Sequence, residues 1–332
     1  MKKHQPKLIV ILGPTSSGKT KLAVKLAKFF NGSPRFSAAG EIVSADSRQV
    51  YKHMDIGTGK EWNDSIKIWG YDLAEPTENY SVSEYFKSMK IVISDIWQRN
   101  KLPVIVGGTG FYIKSLVDGI ATVDIPKNEN LRISLEKMSI DELFNKLADL
   151  DGTKAASLNS SDKKNSRRLI RAIEIAVWNT QHGTEKHVIE KRKKVLDKNV
   201  DLLMIGLSAS SLTILNNIEN RVDKRINEGF ILEVENLLKM GVSWQHQSMK
   251  SLGYKESEAF FKKGLTYEEF ISQWVNNEIK YSKRQMTWFK KETYHSGQKR
   301  IDWFDIDDIN FDQNVVNLVS KWYSLDKHDK KS

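Results

Sequence analysis

Gly13-Pro14-Thr15-Ser16-Ser17-Gly18-Lys19-Thr20 follows the apolar run Lys7-Leu8-Ile9-Val10-Ile11-Leu12 and opens into Lys21-Leu22-Ala23-Val24-Lys25-Leu26-Ala27. The pattern is G-x-x-x-x-G-K-T between a buried strand and a helix start, the setting of a phosphate-binding loop. Its glycines let successive backbone N–H groups curl around an anion without Cβ clashes, and the helix N-terminus adds partial positive charge. Lys19 brings a full charge to the outer phosphate oxygens, and the Thr20 hydroxyl suits Mg²⁺. A glycine turn that merely joins strand to helix has no need of the whole motif in these flanks. Gly13 through Thr20 are therefore expected to bind a phosphorylated ligand.

The surrounding composition narrows the ligand's context. The chain has 332 residues, enough for about two domains and a large core. Lys and Arg number 52 against 42 Asp and Glu, a balance that suits a polyanionic partner and equally serves solubility. Cysteine is absent, which excludes disulfides, thiolate zinc sites and cysteine nucleophiles together. The apolar run behind Met1-Lys2-Lys3-His4 is too short for a signal peptide, and no run reaches the length of a membrane span. A soluble, cytoplasmic protein is expected.

Further along, strand-like and helical segments alternate. Glu41-Ile42-Val43-Ser44-Ala45 runs into Asp46-Ser47-Arg48-Gln49-Val50-Tyr51, and Leu102-Pro103-Val104-Ile105-Val106 ends in Gly107-Gly108-Thr109-Gly110. Between them Phe86, Met89, Val92, Ile93 and Ile96 recur at helical spacing. The alternation predicts an α/β fold, a P-loop NTPase-like parallel sheet flanked by helices, with ligands at the carboxyl ends of the strands. The polar and glycine segments all fall at those ends and should converge on one site. From 124 to 200 strand signals vanish and charge rises, up to Glu190-Lys191-Arg192-Lys193-Lys194, which predicts an inserted all-helical module. Residues 1–123 and 201–325 then form the α/β core, with a returning strand at Asp201–Leu207 and long helices over 211–239 and 266–292. The tail 326–332 is expected to be disordered.

A phosphate loop alone fits kinases, ATPases, GTPases and rarer transferases. Four segments taken together are more specific: Gly13–Thr20; Ser44–Tyr51 with Met54-Asp55-Ile56-Gly57-Thr58; Gly107-Gly108-Thr109-Gly110-Phe111-Tyr112-Ile113; and Lys283-Arg284-Gln285-Met286-Thr287-Trp288-Phe289. In their order and spacing they resemble the tRNA dimethylallyltransferases, with weaker matches at Arg167–Glu174 and Leu252–Glu256. The resemblance spans about residues 8–292. It implies transfer of a dimethylallyl group from dimethylallyl diphosphate to the exocyclic amine of the adenosine 3′ of the anticodon. The partner would be the tRNA anticodon stem-loop, the cofactor Mg²⁺ held at Thr20, and the working form a bacterial-type monomer.

That reaction makes its own demands. An adenine amine is a poor nucleophile, so the protein must clamp the diphosphate, take a proton and keep water from an allylic-cation-like carbon. The loop would hold the isoprenoid diphosphate rather than a nucleotide. Asp46 matches the family's catalytic aspartate and would be the general base; it could also cap the following turn or coordinate Mg²⁺. Ser47, Arg48 and Gln49 would touch the extruded adenosine and its neighbours. Thr109 would contact tRNA or cap the next helix. Arg167, Arg168 and Arg171 would face RNA or else lie solvated and paired with an acid such as Glu174. Leu169 and Ile170, in the same RNA-matching segment, fall on the helix's buried stripe. Lys250, Gly253, Tyr254 and Lys255 would also face RNA. Arg221 or Arg225 would reach the diphosphate. Lys283, Arg284, Gln285, Thr287 and Trp288 complete the tRNA set, with Arg284 and Trp288 at i and i+4 able to stack.

The segment Asn31–Gly40 is longer than the family's usual link, and Asp151-Gly152 stands where Asp-Pro is common. An isopentenyltransferase for free adenine nucleotides would share the loop and the Asp-Ser pair, but has no use for the basic insertion. A small-molecule P-loop kinase would need a nucleotide-base pocket and a γ-phosphate acceptor. A non-catalytic RNA-binding protein would leave the loop and Asp46 without a task.

Overall fold

The apolar runs that precede the glycine motifs become neighbouring parallel strands. The computed structural model describes residues 5–32, 40–182, 200–291 and 301–324; the basic run Glu190–Lys194, most of the long link and the tail lie outside them. The strands are β1 (Lys7–Leu12), β2 (Gly40–Ser44), β3 (Ile68–Trp69), β4 (Leu102–Gly107), β5 (Asp201–Ser208) and β6 (Ile301–Asp305). They form one six-stranded sheet in the order β3-β2-β4-β1-β5-β6, with every pairing parallel. β1 thus lies inside the sheet, between β4 and β5, and its exit carries the phosphate loop. A crevice beyond the strand ends at such a position is where α/β sheets bind ligands.

Parallel strands covered on both faces are continuously apolar. Residues Leu8 to Leu12 are fully buried, as are Ile42, Val43, Val104 and Ile105. Helix α1 (Lys19–Gly32) lays Leu22, Ala23, Leu26, Ala27 and Phe30 on this sheet, and Val315 and Val319 of a C-terminal helix (Phe311–Ser324) join the same core. Helix α2 (Val82–Gln98) starts with a capping box: the Ser81 side chain accepts from the Glu84 N–H, and Glu84 accepts from the Ser81 N–H at 2.7 Å. It buries Phe86, Met89, Ile93 and Ile96 as their spacing predicts. β3 is too short to show a period, and β6 is a half-exposed edge with two aspartates. Both escape a search for apolar runs.

The expected helix over 211–239 is two helices. Gly229 at φ 101° ends the first, Ser211–Asn227, before the second begins at Phe230–Lys239. Beyond them come a helix at Tyr254–Phe261 and the long helix Tyr267–Lys291. Phe230, Tyr254, Phe270 and Trp274 form a buried aromatic cluster, with Phe230 and Trp274 centroids 4.5 Å apart. Gly253 lies against it at φ 85°, and a Cβ there would stand 2.6 Å from the Trp274 ring. Gly253→Ala therefore combines backbone strain with a clash. It should lower the unfolding free energy by about 2–4 kcal/mol in denaturant titration.

The second compact unit is Gly119–Lys193, where composition suggested 124–200; its far end lies outside the described residues. Gly119, at φ 79°, closes the helix Gly110–Asp118 and marks the change. Within the unit, short helices at Glu129–Leu135, Ile140–Leu150, Gly152–Ser157 and Ser160–Lys163 lead to Ser166–His182. Leu135, Leu143, Leu147, Leu169, Ile170 and Ile173 form its core. Glu174 is buried there and fully engaged. It accepts from Arg132 at 2.6 and 2.8 Å, from the Asn128 N–H at 2.9 Å and from Arg171 at 3.2 Å. Burial opposes its charge, but Arg132 and the Asn128 N–H outweigh burial and hold its pKa below the usual carboxylate range.

Candidate active site

The three motif segments at the ends of β1, β2 and β4 line one cavity of about 260 Å³. Thr15, Ser16, Gly18, Lys19 and Thr20 form one wall; Asp46, Gln49 and Gly107-Gly108 form another. Asn217, Asn220 and Arg221 enter from the helix Ser211–Asn227, and Tyr281 and Gln285 from Tyr267–Lys291. Convergence follows from the sheet order, since β2, β4, β1 and β5 are consecutive neighbours.

The phosphate loop is braced from several sides. Ser16 adopts φ 60°, and Gly13 packs so closely that a Cβ would lie 2.7 Å from the Leu207 carbonyl. The Thr15 N–H donates to Gln285 Oε1 at 2.7 Å, and Arg221 donates to the Thr15 hydroxyl at 2.6 Å. Asn217 donates to the Ser16 carbonyl at 3.1 Å, while Ser17 and Lys19 both donate to the Pro14 carbonyl. The buried Ser16 hydroxyl has no partner among the described residues.

Lys19 is the charge centre. Burial, with the Arg221 guanidinium close by, brings its pKa down to about 7 from 10.5, against the opposing pull of Asp46, Glu278 and Glu61. Two cations drawn together in a desolvated cavity fit a polyanion whose charge would relieve both. Arg225, one turn beyond Arg221, is itself buried and has its pKa lowered to about 10 by burial and by Arg221. It reaches Glu278 at 3.4 Å and lies 5.9 Å from the Trp274 ring centre. Arg221 is thus the arginine at the loop, while Arg225 is buried beside Glu278 and Trp274.

Asp46 stands across the cavity. Its Oδ1 accepts from the Arg48 N–H at 2.8 Å, so the local turn does use the carboxylate and in doing so fixes its orientation. The Ser47 N–H donates to the Thr109 hydroxyl at 3.0 Å, and that hydroxyl donates on to Ser47 Oγ at 3.3 Å. The Thr109 side chain therefore ties the Asp46 loop to the end of β4 instead of capping the next helix. The Gly107-Gly108-Thr109-Gly110 motif has a steric reason at each glycine. A Cβ would lie 2.1 Å from the Ala45 carbonyl at Gly107, 2.2 Å from Gln285 Nε2 at Gly108, and 2.2 Å from the Trp288 ring at Gly110.

Several residues expected to touch RNA are occupied within the protein. The Gln49 amide accepts from Ser44 at 2.7 Å and donates to the Gly59 carbonyl at 2.9 Å. Leu169 and Ile170 belong to the module's core, Gly253 packs on Trp274, and the buried Tyr254 hydroxyl donates to Glu233. Arg171 donates to the Thr122, Ile125 and Pro126 carbonyls, whereas Arg168, beside Asp162, stays exposed. Arg48 reaches the Gln247 carbonyl at 3.3 Å. Arg284 does not stack on Trp288: its guanidinium lies 5.7 Å from the Tyr281 ring centre, while Trp288 packs on Gly110 and edge-on to Phe289. The i−3 neighbour takes the arginine because Trp288 is drawn to the glycine. Arg167, Lys250, Lys255, Lys283, Arg284 and Thr287 are exposed.

Other residues of the site carry no local sequence signal. Glu233 accepts from three successive N–H groups, Asp55 and Ile56 at 2.7 Å and Gly57 at 2.9 Å, clamping the loop that bears Gly59. Lys60, wholly buried, joins the Tyr51 carbonyl, Asp55 and Asp72. Tyr281 lines the cavity with its pKa pushed up to about 12 by burial and by Asp46 nearby.

Comparisons with known proteins identify the chain's relatives. The family model described as IPP transferase matches residues 49–292. A tRNA dimethylallyltransferase of Anoxybacillus flavithermus is 39% identical, the match covering 94% of this chain and 95% of that protein. The crystal structure of a full-length tRNA isopentenylpyrophosphate transferase from Bacillus halodurans aligns at TM-score 0.65 and 32% identity, covering 97% and 99% of the two chains. A eukaryotic dimethylallyltransferase structure shares the fold at TM-score 0.80 and 24% identity, over 96% of this chain and 80% of that one. The chain belongs to the IPP transferase family.

Proposed function

We propose that this protein transfers the dimethylallyl group of dimethylallyl diphosphate to the exocyclic amine of the adenosine 3′ of the anticodon in tRNA. The observation that carries the reading is the single cavity in which Asp46 faces the braced loop bearing Lys19. The diphosphate lies on the backbone of Gly13–Thr20, with Lys19 and Arg221 as cations. As the amine nitrogen bonds to the allylic carbon, the carbon–oxygen bond to diphosphate breaks, and Asp46 accepts the amine proton. Charge builds on the departing oxygen, where Lys19 is placed to offset it.

Mg²⁺ fits the oxygen donors available, the Thr20 hydroxyl with the Glu61 carboxylate on the same cavity. Among the described residues no cluster of three or more His, Cys, Asp or Glu forms a cage, and Mg²⁺ in phosphate sites commonly relies on one or two protein oxygens, phosphate and water. Bound there, the ion would supply further charge to the leaving diphosphate.

RNA docking falls to the exposed cations, Arg167 on the inserted module and Lys283 and Arg284 on the long helix, acting in a monomer. Neutralising a phosphate contributes about 0.7–0.9 to the log–log salt dependence. Arg167→Ala or Lys283→Ala should shallow that slope by about one unit and leave the KM for dimethylallyl diphosphate nearly unchanged. Arg171→Ala should act on stability instead, because its guanidinium holds three carbonyls of its own module. Equal slopes for the wild type and the exposed variants would place the RNA elsewhere.

The reading is tested by incubation with radiolabelled dimethylallyl diphosphate and bulk unmodified tRNA, followed by nucleoside analysis. Label in N6-(dimethylallyl)adenosine from tRNA is expected. Label in free AMP would favour the nucleotide-modifying alternative, and consumption of ATP with no prenylated product would favour a kinase.

A further inference from the structure

The Gln285 side chain joins two loops that stand 270 and 177 residues away in sequence. Its Oε1 accepts from the Thr15 N–H at 2.7 Å, and its Nε2 donates to the Gly108 carbonyl at 2.9 Å. The residue is only 6% exposed. With its oxygen and one N–H both committed to backbone of separate loops, the buried amide serves first to hold those loops together. What it does is fix the phosphate loop from one side, while Arg221 and Asn217 hold Thr15 and Ser16 from the other.

We propose that Gln285 is a positioning residue for the diphosphate, presetting the phosphate loop against the Gly107–Thr109 turn, and not a tRNA contact. The assignment rests on the reading of the cavity as the site of an isoprenoid diphosphate. The loop's binding groups are backbone N–H groups, and their affinity depends on holding one conformation before the anion arrives. Without the amide, the Thr15 N–H and the Gly108 carbonyl lose their partner in a buried place, and the loop must move to satisfy them.

Gly108 supplies an independent handle on the same contact. A Cβ at Gly108 would stand 2.2 Å from Gln285 Nε2, so Gly108→Ala must push the amide aside. Its next neighbour, the Gly13 carbonyl, is 3.8 Å away, an ordinary contact. The glycine is therefore explained by the amide.

The test uses the full chain and its Gln285→Met, Gly108→Ala and double variants. Calorimetry measures the Kd of inorganic diphosphate and of dimethylallyl diphosphate; fluorescence anisotropy measures the Kd of an anticodon stem-loop RNA. Each single variant should weaken both diphosphate affinities by roughly 10-fold or more. RNA affinity should stay within about twofold. The double variant should lose less than the product of the single effects, since both break one contact. Weakened RNA binding with unchanged diphosphate affinity would overturn the assignment, as would multiplicative effects in the double variant. If Gln285→Met does not fold, Gly108→Ala decides alone, by whether diphosphate or RNA affinity falls. A wild type that binds neither diphosphate would remove both this assignment and the reading beneath it, whereas equal affinities in the wild type and variants would remove the assignment alone.

Discussion

Asp46→Ala lowers the single-turnover rate of prenyl transfer at saturating substrates by at least roughly 10²-fold, the low end of what a positioned general base supplies. The expectation comes from its place opposite Lys19 on the same cavity and from the Arg48 N–H that orients its carboxylate. Asp46→Asn is the sharper variant. Its amide oxygen can still accept from Arg48, so the turn survives while the proton acceptor is lost. Asn should therefore be nearly as slow as Ala, with tRNA affinity little changed for either. Near-normal rates in the Asn variant would reduce Asp46 to a residue of the turn.

Lys19→Met should weaken diphosphate binding by roughly 10- to 10²-fold and slow turnover as well, because the same ammonium serves bound substrate and departing diphosphate. Its lowered pKa gives this contact a pH signature. Below about 7 the lysine is charged before and after binding, so affinity is flat with respect to this group. Above that, the diphosphate must draw a proton onto Lys19, and affinity falls as pH rises until the pKa of the bound state is passed. Calorimetry at pH 8 in buffers of different ionisation enthalpy should show proton uptake in the wild type and less in the Met variant. Stability runs the other way. The folded pKa lies below the unfolded one, so the charge opposes folding in full below about pH 7, and this cost disappears as pH rises towards 10.5. Lys19→Met should accordingly raise the Tm near pH 6. An unchanged Tm there would contradict the buried charge.

What could be read from the chain, and what could not, divides along physical lines. β1, β4 and β5, and Ile42-Val43 within β2, are apolar because both faces of the sheet are covered, and the motifs follow these strands directly, so their gathering at the strand ends was legible from the chain. The long helix Tyr267–Lys291 was legible in extent but not in its buried face. Phe270 and Trp274 are followed inward by Glu278, Ser282 and Gln285, polar residues that an apolar count assigns to solvent. Arg225 misleads in the same way, since it is buried beside Glu278. Polar groups are buried where distant segments supply their partners, and those partners have no fixed spacing in sequence. Glu233, closing on three N–H groups from residues 55–57, is a case that no local pattern reveals. The glycines of the Gly107–Gly110 turn were visible as a motif, yet their reasons (Ala45, Gln285 and Trp288) became visible only with the fold.

The most direct measurement follows both products in one reaction. Full-length protein, dimethylallyl diphosphate and an anticodon stem-loop RNA are combined without nucleoside triphosphate, and diphosphate release and prenylated adenosine are counted together. The account predicts one diphosphate per modified adenosine, with both products lost in step when the target adenosine is replaced by a purine lacking the exocyclic amine. Diphosphate released freely without RNA, or a requirement for ATP before any product forms, would contradict it.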